Sequence, residues 1–192
     1  SVCQGPISCS PGAAFSFQRN PTGGWTELPP MLAGDREDQD LFGVCVDASI
    51  SSSGTFAAVG APWEDTLGED AGAVYVFELV QQQWIERAKL TAFDGAANDQ
   101  FGGSLTIDRG TLVVGAPNAD APGANSGAAY VFRLSAGSWN FTTKLTAAGG
   151  QAGDRFGRYL DLDGDVLAVS SPERPQVPAP GEGAVYVYRQ QP

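Results

Sequence analysis

The side chains able to do chemistry in this chain are mostly carboxylates. Asp and Glu total 22 against 11 Lys and Arg, a net charge of −11, and the 192 residues include no histidine. Without imidazole, the usual general base of serine and cysteine hydrolases and the commonest metal ligand are both missing. The acids gather between apolar runs, as Asp35, Glu37, Asp38 and Asp40, as Asp94 and Asp99, as Asp154, and as Glu64, Asp65, Glu69 and Asp70 with Asp120. Oxygen-rich loops suit calcium, and Asp161, Asp163 and Asp165 around Gly164 are the candidate ligands. A Gly-containing hairpin turn is the default reading of the same residues. Paired carboxylates also hydrolyse glycosides. The runs expected nearest an axis, however, offer Val44, Cys45, Ser104, Leu105 and Tyr159, with no acidic pair at matching positions. The expectation is a protein that is not an enzyme and needs no cofactor, calcium being the one candidate ion.

Three further features bear on chemistry and compartment. Cys3 and Cys9 lie close together in a Gly/Pro/Ser-rich head and Cys45 in an apolar run. A Cys3–Cys9 disulfide is expected, with Cys9–Cys45 as the alternative, and either pairing implies an oxidising compartment. Asn140, Phe141 and Thr142 form an N-glycosylation sequon. A start at Ser1, without an initiator Met or an apolar leader, is what cleavage of a signal peptide leaves, and what a fragment shows too. The expected location is therefore extracellular, secreted or at the cell surface. Only Lys89 and Lys144 are lysines, so no nucleic-acid partner is expected, and no apolar run approaches the roughly 20 residues of a membrane span.

The elements that position these residues repeat. FGVCVDAS from Phe42 returns as FGGSLTID from Phe101 and FGRYLDLD from Phe156. FAAVGAP, LVVGAP and LAVSSP end at Pro62, Pro117 and Pro172. GAVYVFEL, GAAYVFRL and GAVYVYRQ start at Gly72, Gly127 and Gly183, with a degenerate GAAFSFQR from Gly12. WIERAKLTA and WNFTTKLTA start at Trp84 and Trp139, and WTELPPMLA at Trp25. Each run is short, rich in Val, Phe, Tyr and Leu, and bounded by Gly, Pro, Asp or Asn, so each reads as a strand. The first three kinds are designated a, b and c, and the Trp run d. Run d is expected to alternate, with Trp139, Phe141 and Leu145 on one side and Asn140, Thr142 and Lys144 on the other, as a solvent-facing outer strand does.

The recurring Phe-Gly and Gly-Ala-Pro pairs, at Phe42–Gly43 with Gly60–Pro62 and at Phe101–Gly102 with Gly115–Pro117, resemble the FG-GAP repeats of integrin α-subunit propellers. The third copy keeps Phe156 and Gly157 but carries Ser170 and Ser171 before Pro172. The resemblance implies an all-β fold of four-stranded β-propeller blades, and adhesion by analogy. The expected divisions are a Cys-containing head at 1–11, a partial blade of two strands at 12–33, and blades at 34–92, 93–147 and 148–192, the last lacking its outer strand.

The runs number thirteen, which is three blades and one strand over. Propellers close with four or more blades, so three leave two apolar flanks bare. The expectation is a structural protein whose incomplete ring is completed by other copies of itself, through head-to-tail strand or blade complementation into a filament or a closed ring. The residues expected to carry assembly are Gly12, Phe15, Phe17, Trp25 and Leu28 at one end and Val185, Tyr186, Val187 and Tyr188 at the other. The alternatives are an adhesion or glycan-binding module, with a cell-surface glycan or protein as ligand and Trp63 as a candidate sugar platform, or a fragment of a larger propeller.

Overall fold

The computed structural model describes residues 12–174 and 183–189. Among these residues there are thirteen strands and no helix. Strands β1 (Phe17–Arg19) and β2 (Trp25–Glu27) form a short ribbon. The first sheet contains β3 (Val46–Ser51), β4 (Gly54–Ala61), β5 (Ala73–Val80) and β6 (Gln83–Leu90), each hydrogen-bonded to the next. The second repeats this with β7 (Ser104–Asp108), β8 (Thr111–Ala116), β9 (Ala128–Ser135) and β10 (Ser138–Leu145). The third has β11 (Leu160–Asp163), β12 (Val166–Ser171) and β13 (Ala184–Arg189). All pairings between these strands are antiparallel. The sheets are the blades expected from the repeats, in an open array.

Local chemistry accounts for the meanders. Several hairpins turn on two residues that both take the left-handed conformation, such as Gln81–Gln82 and Ala136–Gly137. That turn matches the right-handed twist of its flanking strands. Three apolar layers then hold the sheets together. Ala14, Met31 and Ala33 beside the ribbon pack on Ala57, Val59 and Tyr75 of the first sheet. Val74 and Val76 pack on Leu112, Val114 and Tyr130 across the first and second sheets. Val113, Ala129 and Val131 pack on Leu167 and Val169 across the second and third.

The Phe-Gly and Gly-Ala-Pro motifs lie where neighbouring sheets approach most closely. Phe101 is fully buried and meets Tyr130 edge to face at 5.4 Å. Gly102 has φ of +89°, and a Cβ there would fall 2.5 Å from the Ala73 carbonyl oxygen of the preceding sheet. A Cβ on Gly115 would fall 2.1 Å from the Gly157 carbonyl oxygen of the following sheet. Only glycine fits such contacts. The motifs are therefore packing devices, each joining one blade to the next.

The outer strands depart from strict alternation. In β10 the register shifts between Phe141 and Thr143, so Thr142 is an extra residue, and in β6 Arg87 is the extra residue. A bulge inverts the facing of everything beyond it. Lys144 therefore lies opposite Tyr130, on the side of Trp139 and Phe141, and Leu145 turns to the other side opposite Ala129.

Candidate functional site

The two ends of the array are the surfaces that set this molecule apart from a closed one. At the β1–β2 end, alternation turns Phe15, Phe17 and Trp25 away from the first sheet, and they are 58%, 55% and 66% exposed. Their register counterparts on the second sheet are Tyr130, Phe132 and Trp139, all buried against the first. At the β13 end, Val185 and Val187 are each 68% exposed. Their counterparts Val74 and Val76 are fully buried, and Ala129 and Val131 are buried too. The ends thus present the two halves of a contact that the chain makes internally between its first and second sheets.

The β13 face departs from its counterparts at its inner end, in the cross-strand row of Tyr159, Ser170 and Val185. The same row holds Cys45 and Gly60 in the first sheet, and Ser104 and Gly115 in the second. There the small side chains donate to the next sheet, Cys45 Sγ to Gly102 O at 2.9 Å and Ser104 Oγ to Gly157 O at 2.6 Å. Tyr159 is 64% exposed, and its amide donates to Ser170 Oγ at 2.8 Å. A Cβ at the Gly60 and Gly115 positions meets the next sheet's Phe-Gly carbonyl at 2.2 and 2.1 Å. Ser170 therefore bars a following blade that has inner strands of the same kind. Among the described residues the ribbon consists of β1 and β2 alone, so it brings no inner strand onto Ser170.

Around the loops, recurring ion pairs tie each sheet to the chain entering it. Lys89 Nζ donates to Asp35 at 2.6 Å and Glu64 at 2.8 Å, and Tyr75 donates to Asp35 at 2.8 Å. Lys144 and Tyr130 repeat this on Asp94 at 2.7 and 2.9 Å. Burial alone would raise both carboxyls, but the lysine and tyrosine hydrogen bonds outweigh it and hold Asp35 and Asp94 below the ordinary range. In the third sheet Arg174 replaces the lysine, donating to Tyr186 Oη and lying 5.6 Å from that ring's centre. Burial pushes the Cys45 thiol up to about 12, which keeps it protonated at neutral pH.

The expected site residues fall in several places. Of the assembly set, Phe15, Phe17, Trp25, Val185 and Val187 are on the exposed ends. Leu28 is buried, Gly12 packs against the Phe42 carbonyl, and Tyr186 and Tyr188 turn inward onto the Phe156 ring. Those four pack within the chain: Tyr186 and Tyr188 alternate with the outward Val185 and Val187, and Gly12 and Leu28 lie against neighbouring segments. Asp161 and Asp163 are exposed on β11, and Asp165 accepts from Arg189 at 3.0 Å. Their counterparts Asp47 and Asp108 accept from the next sheet, from Ile107 N at 2.9 Å and Gly164 N at 2.8 Å. Among the described residues no three His, Cys, Asp or Glu side chains are grouped to hold a metal ion. Asn140 is exposed on β10, its Nδ2 donating to Ser138 O. Cys3 and Cys9 lie outside the described residues. Trp63, 40% exposed, lines a cleft of about 510 Å³ with Tyr159, Arg158 and Gln100.

Sequence reasoning noted Ser170 but missed its consequence, and it missed Tyr159 and Arg174 as substitutions. An in-register reading of the third copy shows Ser170 and Tyr159, whereas Arg174 aligns with Glu64 and Ala119 and takes the lysine's place only in the fold.

No helix among the described residues is long and apolar enough to cross a membrane. A comparison with curated proteins returns no match. A family profile described as FG-GAP repeat matches residues 25–77, 84–132 and 139–188. Each matched segment starts on an outer strand and ends on the third strand of the next sheet, so one repeat links two sheets. With three matches covering most of its length, each built around the close contacts seen between sheets, the chain belongs to the FG-GAP repeat family.

Proposed function

We propose that the chain is a non-catalytic, extracellular, adhesion-type propeller module that joins other copies of itself head to tail. In this contact the ribbon of one copy stacks on the β13 face of another. Phe15, Phe17 and Trp25 then cover Val185, Val187 and the adjoining Val166 and Ala168, as Tyr130, Phe132 and Trp139 cover Val74, Val76, Phe56 and Ala58 inside the molecule. One observation carries the reading: β13 exposes valines whose counterparts are buried in both preceding sheets. Full burial of each large apolar side chain stabilises by about 1.5–3 kcal/mol, so five such groups amount to a strong contact.

Complementation by stacking, rather than by exchange of β2 into the third sheet, follows from Ser170 and Tyr159. Exchange would bring the first sheet's inner strands onto Ser170. A contact between unlike surfaces propagates unless its rotation closes a ring, and the high negative charge keeps the product soluble. Light scattering across a concentration series tests the reading. The mass is expected to rise well above 20.0 kDa with concentration and to fall to that of one chain in Val187→Asp. A wild-type mass of one chain at every concentration would overturn it.

A further inference from the structure

Inside the molecule, a tryptophan from each outer strand closes the outer end of the contact between sheets. Trp84 on β6 lies against the ribbon, its Nε1 donating to Ser16 Oγ at 2.7 Å. Trp139 on β10 is buried against the first sheet, its ring 5.7 Å from Phe56 and edge-on to it. The third sheet has no outer strand among the described residues, and at this junction there is a cavity of about 320 Å³. Thr111, Val113 and Val131 line it from the second sheet and Leu167 and Tyr188 from the third. Thr111, Val113 and Val131 hold the register positions that Phe56, Ala58 and Val76 hold around Trp139.

The geometry points to a strand-capture site, in which the open edge of β13 pairs with an extended segment of a partner protein whose tryptophan enters this cavity. Three observations define the segment. The cavity continues the contact already formed between the second and third sheets, so its occupant is the missing outer strand. The pairing of β10 with β9 sets the spacing, an indole followed six residues later by leucine, as in Trp139 and Leu145. Charge sets the remainder. Lys89 and Lys144 reach over Tyr75 and Tyr130, 5.5 and 5.0 Å from the ring centres, but Arg174 of the third sheet's own loop already occupies that place over Tyr186. The captured strand therefore needs no cation, and Arg189 in the cavity wall is already paired with Asp165. A short edge strand with an adjoining side-chain pocket is the usual architecture of strand addition, in which backbone bonds give affinity and the pocket gives specificity.

This site uses the edge and inward side of the third sheet, whereas the head-to-tail contact uses its outward face. The test is therefore made on Val187→Asp, in which that contact is blocked. The probe is a fluorophore-labelled peptide of the chain's own β10 sequence, Ser138–Leu145, followed by polarisation. Saturable binding is expected. It should be no weaker when the peptide carries Lys144→Ala, and should weaken at least about tenfold with Trp139→Ala. In the protein, Thr111→Phe restores the ring that Phe56 offers Trp139 and should tighten binding. Thr143→Trp, an exposed change beside the cavity, should fill it and weaken binding. Hydrogen exchange on the unsubstituted chain gives a second readout, since bound peptide should slow the β13 amides. No saturable binding at millimolar peptide, or equal binding of the Trp139→Ala peptide, would overturn the proposal whether or not the chain assembles.

Discussion

Asp40, Asp99 and Asp154 each stand two residues before a Phe-Gly pair, and each accepts from the backbone amide three residues earlier, at 2.9, 2.9 and 2.8 Å. The bond tightens the loop that delivers the phenylalanine to the core. Burial raises the Asp40 and Asp99 carboxyls despite these bonds, with Glu64 and Asp65 adding to the effect at Asp40 and Asp120 at Asp99. Asp35 and Asp94 are shifted down. The two sets act oppositely on stability. A raised carboxyl contributes stability that is present below its unfolded value and lost as pH rises through its folded one. A lowered carboxyl contributes stability that is present above its unfolded value and lost as pH falls through its folded one. Melting temperature should therefore rise on acidification from neutrality, peak near pH ~4 and fall below it. Asp35→Asn and Asp94→Asn should flatten the acid limb, and thermal melts between pH 7 and pH 3 would measure both effects.

The outer strands show how one sequence signal takes different roles by position. Trp84, Trp139 and Trp25 start the same run, yet Trp139 is buried, Trp84 partly so, and Trp25 faces outward. Trp139→Ala should cost about 3–5 kcal/mol in denaturant unfolding, as large buried aromatics do. Trp25→Ala should change the stability of the isolated chain by less than about 0.5 kcal/mol. The four-stranded repeat and the role of the Phe-Gly motifs were legible in the sequence, because period, turn residues and glycine spacing encode them locally. The facing of Lys144 was not, since a bulge at Thr142 leaves no local mark in the residue pattern. The split of the assembly residues was legible in part. Val185 and Val187 alternate with Tyr186 and Tyr188, but the buried side is set by packing on Phe156, 114 positions after Phe42 in a third copy of the motif. The ion pairs of Asp35 with Lys89 join residues 54 apart, and only the folded sheet brings them together.

At the scale of the molecule, the array makes three sheet contacts internally and exposes the two halves of another. The halves are unlike, so each copy has one of each, and a blocked copy of one kind should still join a blocked copy of the other. Val187→Asp disables the β13 face and leaves the aromatic ribbon; Trp25→Asp does the reverse. Mixing the two variants and weighing the product by light scattering tests the head-to-tail contact most directly. Each variant alone should have the mass of one 20.0 kDa chain, and the mixture should give a species of about twice that mass and none larger. A mixture that stays at the mass of one chain, or a variant that assembles alone, would contradict it.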